Sequence, residues 1–105
     1  MRRFRTVLDD NSDRPLHISE VCTIIRVPER TLRAACQEQI GMGPKQYLTL
    51  RRMNMARRHL RTEAPGTTTV AEVAMQYGFW HFGRFSETYR TLFGEPPSDT
   101  LRSSS

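Results

Sequence analysis

The sequence predicts an all-α protein of about seven helices, and three observations carry that reading. No stretch alternates polar and apolar residues with the period of two that a half-buried strand needs. Apolar residues recur instead at spacings of three and four, the stripe of a helix packed on one face. One helical unit is also written twice. His17-Ile18-Ser19-Glu20-Val21-Cys22 is answered by Thr69-Val70-Ala71-Glu72-Val73-Ala74, an offset of 52 from Ile18 to Val70. Leu32 and Cys36 then match Phe85 and Tyr89, Gly41 matches Gly94, Pro44 matches Pro97 and Leu48 matches Leu101, all at an offset of 53. One extra residue therefore enters the second copy's turn. A repeat of a helix start, an inward pair and a Gly-x-x-Pro stop describes two copies of one supersecondary unit.

The elements follow in order. Phe4, Val7 and Leu8 give a short first helix, which runs into the turn-rich loop Asp9, Asp10, Asn11, Ser12, Asp13 before Pro15. Ile18, Val21, Cys22 and Ile25 face inward on the second helix, and Arg26 and Val27 form a turn. Pro28 opens a third helix, whose first turn needs no donor from it. Leu32, Ala35, Cys36 and Ile40 line its inward side, and Gly41 ends it.

Pro44 starts a longer helix with Tyr47, Leu48, Met53, Ala56 and Leu60 inward and Arg51, Arg52, Arg57, Arg58 and Arg61 on its flanks, most of them solvated. After the loop Ala64-Pro65-Gly66-Thr67-Thr68, Thr69 and Glu72 fit a capping box. Gly78 breaks that helix, and Phe82, Phe85, Tyr89 and Phe93 continue with helical spacing to Gly94. Pro96, Pro97 and Ser98 introduce a short last helix around Leu101, and Ser103, Ser104 and Ser105 are expected to fray. The chain thus reads as one domain, 1–105, with subdomains at 4–43 and 68–102 and a connecting helix at 44–63.

Charge narrows the function. The 105 residues hold 16 Lys and Arg against 11 Asp and Glu, a net charge of +5 carried almost wholly by arginine. Arginine suits planar, bidentate contact with phosphate and guanine. No segment combines a broad apolar face with a continuous cationic one, and no run of about 20 apolar residues occurs, so a membrane partner is not expected. Cys22 and Cys36 lack metal-ligand spacing and read as reduced core residues, which fits a cytoplasmic location. His17, His59 and His81 stand singly on different elements, so neither catalysis nor a metal or cofactor is implied. A helical protein-interaction module is the rival reading. Salt dependence separates the two, because phosphate-dominated binding falls steeply with salt.

Two helix-turn-helix units have one further consequence. The run Tyr77-Gly78-Phe79 through Phe85, Ser86, Tyr89, Arg90, Phe93, Gly94 and Pro96-Pro97 closely resembles the DNA-binding domain of the AraC/XylS family of bacterial transcription regulators. Gly41, Pro44, Tyr47-Leu48, Arg52-Met53 and Ala56 extend the resemblance into the first unit, so that it covers residues 4 to 102. It implies a seven-helix domain with two helix-turn-helix subdomains bridged by one long helix, each second helix entering a major groove of double-stranded promoter DNA. It also implies activation by contact with RNA polymerase. Most members sense effectors through an N-terminal domain, which is missing here, so the chain is expected to be an excised C-terminal portion. Three positions depart from the pattern: His17 and Pro28 stand where Ser or Thr caps are usual, and Cys36 takes a place usually filled by Phe.

With Leu32 and Cys36 inward, Arg30, Thr31, Arg33, Ala34 and Gln37 fall on the outer side of the third helix. Arg30 and Arg33 are the candidates for bidentate contact with guanine, and Arg33 fits phosphate contact equally well. The same offset puts Gly83, Arg84, Ser86, Glu87 and Arg90 on the outer side of the sixth helix. Arg84 is the strongest base-reading candidate. Glu87 fits either cytosine N4 or an ion pair with Arg84 or Arg90, and Trp80 is expected to pack on the neighbouring turn, with contact to a sugar as the alternative.

Overall fold

A computed structural model describes residues 2–11, 16–64 and 66–103. Ser12, Asp13 and Pro15 of the expected first loop, Pro65 of the second, and Ser104 and Ser105 lie outside them. The described residues form seven helices and no strand: α1 (Arg2–Asp10), α2 (Ile18–Ile25), α3 (Glu29–Gln39), α4 (Pro44–Thr62), α5 (Val70–Gln76), α6 (Phe82–Phe93) and α7 (Pro97–Arg102). They divide into two compact units, 1–51 and 52–105, and the boundary falls inside α4.

The first unit closes around Phe4, Leu8, Leu16, Ile18, Val21, Ile25, Leu32, Cys36 and Leu48, with Val27, Ile40 and Tyr47 packed on the margin. The inward stripes read from the sequence supply these buried residues, although Val7, Cys22, Ala35, Ile40 and Tyr47 are only half-buried, while Cys36 is fully enclosed. Burial pushes both thiols above their ordinary range. The Phe4 and Tyr47 rings lie 5.8 Å apart. Arg51 reaches from α4 to Asp9 of α1 at 2.7 Å.

The second unit packs Met53, Ala56 and Leu60 of α4 with Val73, Ala74, Phe85 and Tyr89. Its aromatic rings form a chain, Phe79–Phe85 at 5.0 Å, Phe85–Tyr89 at 5.7 Å and Tyr89–Phe93 at 4.7 Å. The buried Tyr89 hydroxyl donates to Thr100 Oγ1 at 2.8 Å, tying α6 to α7. Burial raises the Tyr89 phenol's pKa. A second polar chain runs from the Tyr77 hydroxyl to His59 Nδ1 at 2.9 Å, from His59 Nε2 to Glu63 at 3.1 Å, and on to the Thr67 hydroxyl.

Of the α4 arginines only Arg58 and Arg61 are exposed, contrary to the expectation that most are solvated. Arg57 lies over the Phe93 ring at 4.7 Å, a cation–π contact that covers its long stem. Phe82, although it shares the helical spacing of Phe85, Tyr89 and Phe93, is 49% exposed. It is the first residue of α6, before the helix has met the core.

Candidate nucleic-acid interface

Each unit contains a helix, a tight turn and a second helix. The turns differ in one residue type. Arg26 closes α2 in the left-handed region at φ 58°, and Gly78 holds the corresponding place after α5 at φ 88°. A side-chain-bearing residue meets steric cost there that glycine escapes. Both turns are nevertheless closed by the same backbone bond, Val27 N–H to Cys22 O at 3.1 Å and Phe79 N–H to Ala74 O at 2.9 Å.

The helices before and after the turn start differently. Thr69 Oγ1 accepts from the Glu72 N–H at 3.1 Å, so the expected cap on α5 is present, while the Glu72 carboxylate accepts from the Thr68 hydroxyl. At α2, the Glu20 carboxylate accepts the His17 N–H at 3.1 Å. By contrast α3 begins at Pro28 and α6 at His81 without a side-chain cap. Their first-turn N–H groups face a positive helix end that suits an anionic oxygen.

On α3, Arg30, Thr31, Arg33, Ala34 and Gln37 are all exposed, opposite the buried Leu32 and Cys36. Arg33 binds Glu29 one turn earlier at 2.7 Å. The pair is open to solvent, and such pairs contribute about 0.2–1 kcal/mol, so a phosphate could displace it at small cost. Arg30 has no ion pair among the described residues and stands as the freer reading group. On α6, Gly83, Arg84, Glu87 and Arg90 are exposed and Ser86 is half-buried, opposite Phe85 and Tyr89. Among the described residues Glu87 pairs with neither Arg84 nor Arg90, and its backbone oxygen accepts from the Thr91 hydroxyl. Each set thus lies on the outer side of its own helix.

The start of α6 carries two exposed aromatic residues, Trp80 and Phe82. Trp80 is 71% exposed rather than packed on the turn. The only signal available was its position at the extra residue of the second turn. Among the described residues no His, Cys, Asp and Glu cluster could hold a metal ion, and no helix is long and apolar enough to cross a membrane.

Two helix-turn-helix units, each with an arginine-bearing, uncapped second helix, define a DNA-binding domain. The family described as "Helix-turn-helix domain" matches residues 21–103. The chain is 35% identical over 95 residues to "XylDLEGF operon transcriptional activator 3" of Pseudomonas putida, covering 90% of this chain and 29% of that protein. It is also 35% identical to the "Probable thc operon regulatory protein" of Rhodococcus erythropolis, again over 90% of this chain and 29% of that one. Among solved structures, a probable AraC family transcriptional regulator from Rhodopseudomonas palustris CGA009 superposes with a TM-score of 0.85 at 29% identity, covering 98% of this chain and 94% of that one. An AraC-type structure from Chromobacterium violaceum, at 22% identity and a TM-score of 0.86, shares the fold. The chain belongs to the AraC/XylS family of helix-turn-helix transcription regulators and is a DNA-binding, transcription-regulating domain. It spans less than a third of the length of these two relatives.

Proposed function

We propose that α3 and α6 enter successive major grooves on one face of a duplex and read two short half-sites. Successive grooves lie about 34 Å apart, so the halves should be separated by about one helical turn. The two helices carry different outer residues, and the site should therefore be asymmetric. Arg30 and Arg33 read from α3 and Arg84 from α6 by bidentate contact with guanine, while Thr31, Ala34, Gln37, Gly83, Ser86, Glu87 and Arg90 complete the two reading faces. Where the spacing of the helices departs from that of B-DNA, the duplex bends to meet both.

The observation that carries this reading is the repetition, in each unit, of an exposed arginine-bearing face on an uncapped helix backed by a buried one. We further propose that the bound domain activates promoters by contacting RNA polymerase through a separate surface. Its support is the description of the P. putida relatives as transcriptional activators.

Selection of bound fragments from a random duplex library at near-physiological salt, followed by sequencing, tests the docking. The expected result is an asymmetric motif whose halves lie about 10 base pairs apart. Enrichment of a single half would mean that only one unit reads, and a folded protein that enriches nothing would contradict specific binding.

A further inference from the structure

The two turns share their left-handed place and their closing bond. Arg26 and Gly78 occupy the left-handed place, and Val27 and Phe79 donate the equivalent closing bonds and pack against their own cores. Immediately afterwards Pro28 is the N-cap of α3, whereas α6 takes His81 as its N-cap. Trp80 is the residue left over. It is the chain's single tryptophan, and it is 71% exposed. Phe82, two residues on, is 49% exposed at the first position of α6.

Large aromatic side chains gain most when they leave water, so two of them standing open beside one helix start mark a surface that is covered by something. The neighbouring groups select the cover. Arg84 follows within the same turn and is exposed, and Gly83 between them is exposed with open space where a Cβ would stand. Glu87, more than a turn from Phe82, is the nearest carboxylate in sequence on α6. An apolar edge joined to a guanidinium, on a helix face without bulk between them, matches the wall of a major groove. There a thymine C5-methyl stands beside the acceptors of a neighbouring guanine. An apolar protein groove would leave Arg84 without an acceptor.

We propose that Trp80 and Phe82 are specificity-determining residues for thymine: Phe82 packs on a thymine C5-methyl next to the base held by Arg84, and Trp80 closes over the adjoining deoxyribose. This rests on the docking of α6 proposed above. The first unit has no counterpart, since Glu29 occupies the place of Phe82 and its turn lacks the residue that Trp80 adds, so thymine reading belongs to one half of the site only.

The test uses the duplex enriched by selection and a copy with deoxyuridine for thymine in the half assigned to α6, which removes the methyl and nothing else. Affinity is measured by anisotropy of the labelled duplex, and Trp80 emission is followed in the same titration. The expected result is a change in Trp80 emission that saturates with binding, and about a fourfold loss of affinity for each contacted methyl removed. Phe82→Ala should bind the two duplexes equally, with circular dichroism checking its fold. Binding with unchanged emission, or with equal methyl sensitivity in the wild type and Phe82→Ala, overturns the inference while leaving the docking intact. Failure to bind any selected duplex overturns the docking and the inference with it. An emission change on concentrating the protein without DNA would give the patch to a second copy of the chain and overturn the proposal.

Discussion

The two units answer one folding problem with different materials. In the first, the inward pair of the reading helix is Leu32 and Cys36; in the second it is Phe85 and Tyr89. The smaller pair is served by a broader set of aliphatic neighbours and by α1, whereas the larger pair joins an aromatic chain anchored by Thr100. The turns differ in the same sense, Arg26 bearing a left-handed conformation that Gly78 adopts freely. Sequence repetition therefore specifies topology without specifying stability. The second unit backs its reading helix with more aromatic surface, and it also carries the exposed Trp80 and Phe82 beside Arg84.

The largest expected effect separates the cores. Tyr89→Ala should cost the second unit about 3–5 kcal/mol, through lost burial and an orphaned Thr100 hydroxyl, while Cys36→Ala should cost the first unit only about 1 kcal/mol. Urea unfolding with hydrogen exchange followed at α3 and α6 amides checks both. Equal losses would mean that the aromatic chain adds nothing to the second core.

The next effects concern binding and polar order. Arg84→Ala should weaken DNA binding by about 1–3 kcal/mol, and Arg33→Ala by less, because Arg33 already has Glu29 as a partner in the free protein. Titrations against the selected duplex would show the order. His59→Ala should destabilise the second unit by about 1–3 kcal/mol, since it takes the imidazole partner from the half-buried Tyr77 hydroxyl. Thermal unfolding of the variant measures this.

Smaller effects sharpen the comparison of the turns and of the alkaline limit. Arg26→Gly should stabilise the first unit by about 1 kcal/mol by relieving the left-handed strain, as Gly78 already does in the second. Burial raises the phenols of Tyr77 and Tyr89 above their ordinary 10.0 and the thiols of Cys22 and Cys36 above 9.0. The folded chain then holds these protons more tightly than the unfolded one. The stability they contribute is complete below the unfolded pKa and is lost as pH rises through the folded one. In an alkaline titration the first unit should begin to weaken above pH 9.0 and the second above pH 10.0, as followed by hydrogen exchange at α3 and α6.

Much of this was legible in the residues. The offset from Ile18 to Val70 matches the starts of α2 and α5, and Gly41 and Gly94 turn at φ 85° and 79° where the repeat predicts both stops. Helical periodicity sees one element at a time, and there it identified the buried faces. It failed where register shifts or distant elements meet. Trp80 lies in an inserted position with no period to place it, and Phe82 precedes the point at which α6 reaches the core. The link from His59 to Tyr77 joins α4 to the end of α5, and Arg57 meets Phe93 across a still longer separation. An ion pair such as Arg33 with Glu29 was within reach of i, i+4 spacing.

The central claim is that both units read DNA and that each reads its own half. Its most direct test is to repeat the random-library selection with Arg30→Ala and with Arg84→Ala and to compare the enriched motifs with that of the unaltered protein. The account predicts that each substitution relaxes sequence preference in one half and leaves the other intact, with the two halves about 10 base pairs apart. If both substitutions relaxed the same half, or if either left the motif unchanged, two-headed reading would be contradicted.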